Sequence, residues 1–302
     1  MTLFSVCIIA FFALSAVEPF RTPIAKLTQS ESYLIGFNQG AKEIIPTITE
    51  VQKEDQTTKL ILGDSVCFRL FSELQPYNQK YKIAPTNRGL TMSGQYILAR
   101  EYLNSHPKAT DIYVILVQDS LITDYETGYG YQYGVMPFLL TDTFGGLDQE
   151  TYKAMGSVYG KWMLHKSSAN FIENSPLGKK LYLSLINKYF PRFSTLEMPD
   201  VTERYIEKLF LLCERENVKL HLLPVPHKEM KERRELEKEI IKSYNESKLS
   251  NYFPKYFQQI EYYPPERFSD HVHMIGTREE LNEVIRKMQK ETGELEDLML
   301  EP

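Results

Sequence analysis

Two short stretches, near opposite ends of the chain, carry the residue types of a nucleophile and its base. The first is Leu62-Gly63-Asp64-Ser65, followed by the apolar-patterned Val66-Cys67-Phe68-Arg69-Leu70-Phe71. A serine between a strand and a helix lies at the edge where parallel α/β sheets bind ligands. The helix start offers free N–H groups and a partial positive charge to a developing oxyanion. Gly63 suits a tight turn at that point. The plainer role for Asp64 or Ser65 is a helix N-cap. A serine nucleophile needs a base, and the base needs an acid to orient it. Of the six histidines, two fall in Phe268-Ser269-Asp270-His271-Val272-His273-Met274. Asp270 precedes His273 by three residues, so in a helical turn the two side chains share one side. Ser269 or Asp270 as a cap for the last helix is compatible with that role. A zinc site on His271 and His273 competes weakly, because their spacing suits a strand and no third ligand is evident. His273 is therefore the expected base and His271 the lesser candidate. Arg69, one turn after Ser65, suits either an anionic substrate or, better, a solvated helix face.

These side chains need strands and helices to bring them together. Five short apolar runs, each with an abrupt polar end, predict strands. They are Lys59–Leu62, Tyr81–Ala84, Ile112–Val117, Lys219–Leu223 and Gln259–Tyr263. Helical periodicity predicts helices over Gly94–Leu103, Val201–Glu214, Lys228–Ser247 and Thr277–Thr292. In Lys228–Ser247 the inner stripe is expected to be Leu236, Ile240, Ile241 and Tyr244. Alternating strands and helices imply a mainly parallel sheet covered on both faces. The stretch from Val117 to Lys219 is too long for one crossover, so it should hold a helical insertion, for example around Thr151–Leu164 and Pro176–Tyr189.

Gly63-Asp64-Ser65 near the start and Asp270-x-x-His273 near the end, framing this domain, resemble the SGNH (GDSL) hydrolase superfamily. The resemblance spans roughly Leu60 to Met274. It implies an α/β, three-layer α/β/α flavodoxin-like domain with a five-stranded parallel sheet in the order 2-1-3-4-5. It also implies Ser65 as nucleophile, His273 as base and Asp270 as orienting acid, with no cofactor and no metal. The family's second motif is a glycine after the second strand whose N–H helps form the oxyanion hole, beside the N–H of Ser65. Gly94 and Gly89 are the candidates, and Gly94, at the mouth of a helix, fits better. The third motif departs from the family pattern. Where Gly-x-Asn-Asp is expected, this chain has Val117-Gln118-Asp119-Ser120, and Gln118 is the residue able to supply an amide donor. Similar divergence occurs among SGNH-like O-acyltransferases and membrane-anchored envelope-modifying proteins. The resemblance thus implies an esterase, deacylase or O-acyltransferase working through an acyl-serine on an acylated carbohydrate or other small ester. A non-catalytic surface binding or assembly protein of the same fold is the alternative.

The rest of the chain bounds these readings. Its 302 residues are 42% hydrophobic and 25% charged, which fits a soluble globular protein with a sizeable core. A net charge of −5 gives no electrostatic reason for a nucleic-acid partner. Cys7, Cys67 and Cys213 are too widely spaced for a zinc motif and odd in number for a disulfide framework. From Leu3 to Val17 there is no charge. Such a segment spans roughly 22 Å as a helix, short of a roughly 30 Å bilayer core, and suits a signal peptide or short anchor. Residues 1–18 are accordingly expected to export or anchor the protein at the membrane, leaving residues 19–302 as a single extracytoplasmic domain. Finally, Tyr125-Glu126-Thr127-Gly128-Tyr129-Gly130-Tyr131-Gln132-Tyr133-Gly134 leaves the third strand and should overhang the catalytic edge. Its rings suit stacking on a sugar, or packing within its own insertion.

Overall fold

A computed structural model of the chain describes residues 39–71, 79–87, 91–122, 130–189, 197–295 and 298. The apolar segment 1–18, Gly89 and the tyrosine stretch through Tyr129 lie outside the described residues. The first elements are α1 (Gln39–Gln52), β1 (Lys59–Gly63), α2 (Ser65–Phe71), β2 (Tyr81–Ile83) and α3 (Met92–Ser105). Next come β3 (Asp111–Leu116) and a single turn, α4 (Gln118–Leu121). The middle holds α5 (Met136–Leu140), α6 (Gln149–Tyr159), α7 (Lys166–Asn174) and α8 (Pro176–Tyr189). The last third holds α9 (Asp200–Arg215), β4 (Lys219–Pro224), β5 (His227–Lys228), α10 (Lys231–Glu246), α11 (Leu249–Tyr252), β6 (Tyr262–Tyr263) and α12 (Arg278–Thr292).

The chain forms two compact units. The larger takes the described residues of Pro46–Asp124 and Phe193–Pro302. Its sheet is parallel, in the order β2-β1-β3-β4, with Gly63 opposite Ile115 and Leu116 opposite Pro224. Strand residues are buried almost without a break, as in sheets covered on both faces. On one face Ile61, Ile83, Tyr113 and Ile115 pack with Val66, Cys67 and Phe71 of α2 and Val284, Ile285 and Met288 of α12. The alternate residues, among them Leu60, Leu62 and Val114, are equally buried, and α3 and α9 pack on β1 and β4 respectively. Helix α12 is locked by a capping box between Thr277 and Glu280 and by Gly293 in the left-handed region at its C-terminus.

The sheet has four strands where five were expected. Gln259 ends a 3₁₀ turn over Tyr256–Gln259, and of the expected strand Tyr262 and Tyr263 alone pair as one. These two residues pair in parallel with His227 and Lys228, forming a separate two-stranded sheet just beyond β4. Pro224 and Pro226 frame the break, and a proline has no N–H to give to a ladder. Helix α10 also differs from its expected face. Arg233 and Glu237 are buried in register with Ile240 and Tyr244, whereas Leu236 and Ile241 are only half-buried.

The smaller unit takes the described residues of Met1–Ile45 and Tyr125–Arg192 and holds the helices expected as an insertion, α6 and α8 among them. A π-helical turn over Tyr131–Val135 leads into α5. Tyr131 is fully buried; its hydroxyl donates to the Met163 carbonyl at 3.0 Å. Its ring lies 5.2 Å from that of Tyr159 and 5.3 Å from that of Tyr182. Tyr131 therefore belongs to the core of its own unit and offers no face to a sugar. No helix among the described residues is long and apolar enough to cross a membrane.

Gly63 is needed for closeness. Its backbone is not in the left-handed region, so the expected turn is not the reason for glycine there. A Cβ on it would stand 2.3 Å from the Ile115 carbonyl oxygen and 2.4 Å from Cys67 Cβ. The missing side chain lets α2 descend onto β1 and β3. Gly63→Ala should cost about 1–3 kcal/mol or more through overpacking. Denaturant unfolding should show a lower midpoint with an unchanged slope; an unchanged midpoint would refute this account of Gly63.

Candidate active site

Asp64 is the hub of the sheet edge where the turns after β1 and β3 meet. It is buried at 1% exposure. Its Oδ1 accepts from the N–H groups of Val66 at 2.9 Å and Cys67 at 3.3 Å, capping α2. Its Oδ2 accepts from the Val117 N–H at 2.8 Å and the Ser120 hydroxyl at 2.7 Å. One side chain thus ties the β1–α2 turn to the β3–α4 turn. Burial pushes its carboxyl above the usual range, and the four hydrogen bonds pull against that shift. The capping role foreseen for Asp64 is real, and the clamp onto Val117 and Ser120 goes beyond it.

Ser65, the first residue of α2, is half-buried. Its Oγ lies 2.8 Å from His273 Nε2. On the far side of the ring, His273 Nδ1 lies 2.7 Å from Asp270 Oδ2. A carboxylate only accepts, so Nδ1 carries the proton and Nε2 is left to accept from the serine hydroxyl. The structure therefore brings Ser65, His273 and Asp270 into one hydrogen-bonded chain. His271 is exposed and takes no part in it.

The turn that carries the imidazole is not helical, since α12 starts only at Arg278. Instead Asp270 Oδ1 accepts from the backbone N–H groups of Val272 at 2.9 Å and His273 at 2.8 Å, an Asx turn. This folds the loop so that Oδ2 meets Nδ1, and a bridge between Phe268 and Met274 closes its base. Partial burial pushes the Asp270 carboxyl up. The N–H groups of His273 and Val272 and the imidazole outweigh it, and the carboxyl is held down to about 2. Asp270 is therefore charged across the working range of a neutral imidazole base. Lys228 of β5 donates to the Asp270 carbonyl at 3.1 Å, which gives the short β5–β6 pair a place beside the site.

The oxyanion side departs from expectation. The Gly94 N–H donates to Thr91 Oγ1 at 3.3 Å as part of the N-cap of α3, so that donor is already spent. Gln118 stands at the start of α4, directly after the Val117 N–H that Asp64 holds. It is fully buried, and neither end of its amide has a hydrogen-bond partner among the described residues. Its chain neighbours Leu116 and Asp119 are bonded to the last third of the chain. The Leu116 carbonyl accepts from Tyr256 Oη at 2.9 Å and from the Val225 N–H at 3.2 Å. Asp119 Oδ2 accepts from Arg233 Nη2 at 2.9 Å. Arg233 also helps burial push the nearby His227 imidazole down to about 3. Sequence reasoning missed Arg233 and Tyr256, whose partners are remote in the chain; the sole signal was a charged residue in register with Ile240 and Tyr244.

No protein-family profile matches the chain, and no curated protein matches it. Among solved structures it is similar to a GDSL-like lipase from Bacteroides thetaiotaomicron, at 12% identity over 84% of this chain and 98% of that one, with a TM-score of 0.37. It is also similar to a protein provisionally named an acylhydrolase from Bacteroides fragilis, at 11% identity over 83% and 96% of the two chains, with a TM-score of 0.37. A provisionally named platelet activating factor from Streptococcus pneumonia gives 12% identity over 87% and 95%, with a TM-score of 0.40.

The Asp64 clamp makes a sharp prediction. In Asp64→Asn an amide NH2 must face one of the two donor pairs, whichever way it turns. About 1–3 kcal/mol of stability should be lost, read as a lower denaturation midpoint. An Asn variant as stable as the parent would show that Asp64 does not work as a four-bond acceptor.

Proposed function

We propose that this chain is a serine hydrolase of the SGNH type. It would act through an acyl-serine as an esterase, deacylase or O-acyltransferase on an ester-bearing envelope glycan. The observation that carries the reading is the 2.8 Å contact between Ser65 Oγ and His273 Nε2, with Asp270 on Nδ1. Its placement on the turn after β1, in a sheet ordered β2-β1-β3-β4, supports it further. In this mechanism Ser65 Oγ attacks the ester carbonyl as its proton passes to His273 Nε2. The carboxylate of Asp270 steadies the imidazolium through Nδ1–H. His273 then protonates the departing alkoxide, leaving the acyl group on Ser65. Water resolves the acyl-serine in hydrolysis, and a sugar hydroxyl resolves it in transfer.

Two donors are assigned to the oxyanion: the N–H of Ser65, which precedes the pair that Asp64 caps, and the Gln118 amide. The glycan and the extracytoplasmic site of action rest on the sequence, from the uncharged residues 3–17 and the altered third motif. A second reading, a non-catalytic binding or assembly protein of the same fold, draws on the oxyanion side. There Gly94 is spent on a cap and Gln118 replaces the family's asparagine.

Turnover of an activated acetyl ester separates the two. Ser65→Ala and His273→Ala should each abolish it with similar losses, because nucleophile and base act as a unit. Asp270→Asn should cost as much or less, and His271→Ala little. Gln118→Ala should lower kcat about 10²-fold if its amide meets the oxyanion. A dead His271→Ala beside an active His273→Ala would overturn the assignment of the base, and a folded parent protein without turnover would favour the binding reading.

A further inference from the structure

The three bonds that Asp270 makes fix the imidazole relative to its own loop, but they do not fix it relative to Ser65. The loop is exposed at Ser269, Asp270 and His271; the Phe268–Met274 bridge closes its base, Val272 packs against the core and Lys228 holds the Asp270 carbonyl. None of these is a hydrogen bond to α2. A base that drifts by about 1 Å from its nucleophile can lose up to 10²-fold in rate. A hydrogen bond between the loop and the element that carries Ser65 would hold that distance directly.

Helix α2 makes that tie with a second residue. Ser65 and Arg69 stand one turn apart on it and share a face. Opposite them, Ser269 and His273 are equally spaced on the loop. Arg69 Nη1 donates to Ser269 Oγ at 3.3 Å, alongside the Ser65–His273 contact. Ser269 passes the restraint on: its N–H donates to the His273 carbonyl at 2.9 Å, and its hydroxyl donates to the same oxygen at 3.3 Å. A serine hydroxyl has one proton to give and lone pairs to accept, so both contacts of Oγ are satisfied at once.

We propose that Arg69 and Ser269 are positioning residues that latch the His273 loop to α2 and so hold the imidazole against Ser65. The latch rests on the reading of Ser65 and His273 as nucleophile and base. Exposed contacts of this kind add little to stability, so its loss should appear in catalysis and leave folding unchanged.

The test is a double-mutant cycle on the full chain with p-nitrophenyl acetate. Arg69→Met and Ser269→Ala should each lower kcat about ten-fold, with KM and the thermal midpoint nearly unchanged. The double variant should fall no further than the worse single one, since both remove the same link. Additive losses, a change in KM alone, or no loss would overturn the latch. A readout independent of turnover is the His273 ring Cε1–H resonance. In Arg69→Met it should move from the parent's position toward that of Ser65→Ala, and coincidence with the parent would also overturn the latch. Should Ser65→Ala keep its turnover, the catalytic reading fails by itself, and the His273 resonance still decides whether Arg69 holds the loop.

Discussion

The candidate site depends on one buried carboxylate. Asp64 receives four hydrogen bonds from two separate turns and leaves none of its acceptor directions to solvent. Removing it would leave the Val66, Cys67 and Val117 N–H groups without this partner, and unpaired buried donors are costly. It therefore fixes the start of α2, where Ser65 stands, against the start of α4, where Gln118 stands. The close approach at Gly63 serves the same end, since a side chain there would push α2 away from β3.

The two halves of the site are held in different ways. Ser65 and Gln118 stand on buried scaffold: Asp64, the Tyr256 hydroxyl on the Leu116 carbonyl, and Arg233 on Asp119. His273 belongs to an exposed loop organised by Asp270. In the proposed reaction that division lets the imidazole exchange protons with a leaving group while the oxyanion donors stay still. The Gln118 amide is buried without a hydrogen-bond partner among the described residues, between the Val117 N–H and the Ser120 hydroxyl that Asp64 holds.

Much of this was legible in the sequence because it was local. The strands through Leu62, Ile83, Leu116 and Leu223 announce themselves by short apolar runs, and Gly63-Asp64-Ser65 and Asp270-x-x-His273 by residue type and spacing. What escaped was set by partners far along the chain or by backbone geometry. The fifth strand shrank to a pair because Pro224 and Pro226 interrupt the ladder. Helix α1, with Ile44, Ile48 and Val51 at helical spacing, was hidden by Pro46, which reads as a breaker. The i, i+3 relation of Asp270 and His273 held for a different reason from the one expected, an Asx turn in place of a helix. Arg69 looked like a solvated helix residue, and only the fold shows Ser269 opposite it.

The central claim is that Ser65 is a nucleophile activated by His273. The most direct measurement is mass spectrometry of the intact and digested protein after treatment with a fluorophosphonate. The account predicts one covalent adduct, located on Ser65, forming far more slowly in His273→Ala. A folded protein that stays unmodified at saturating probe, or an adduct on another residue, would contradict it.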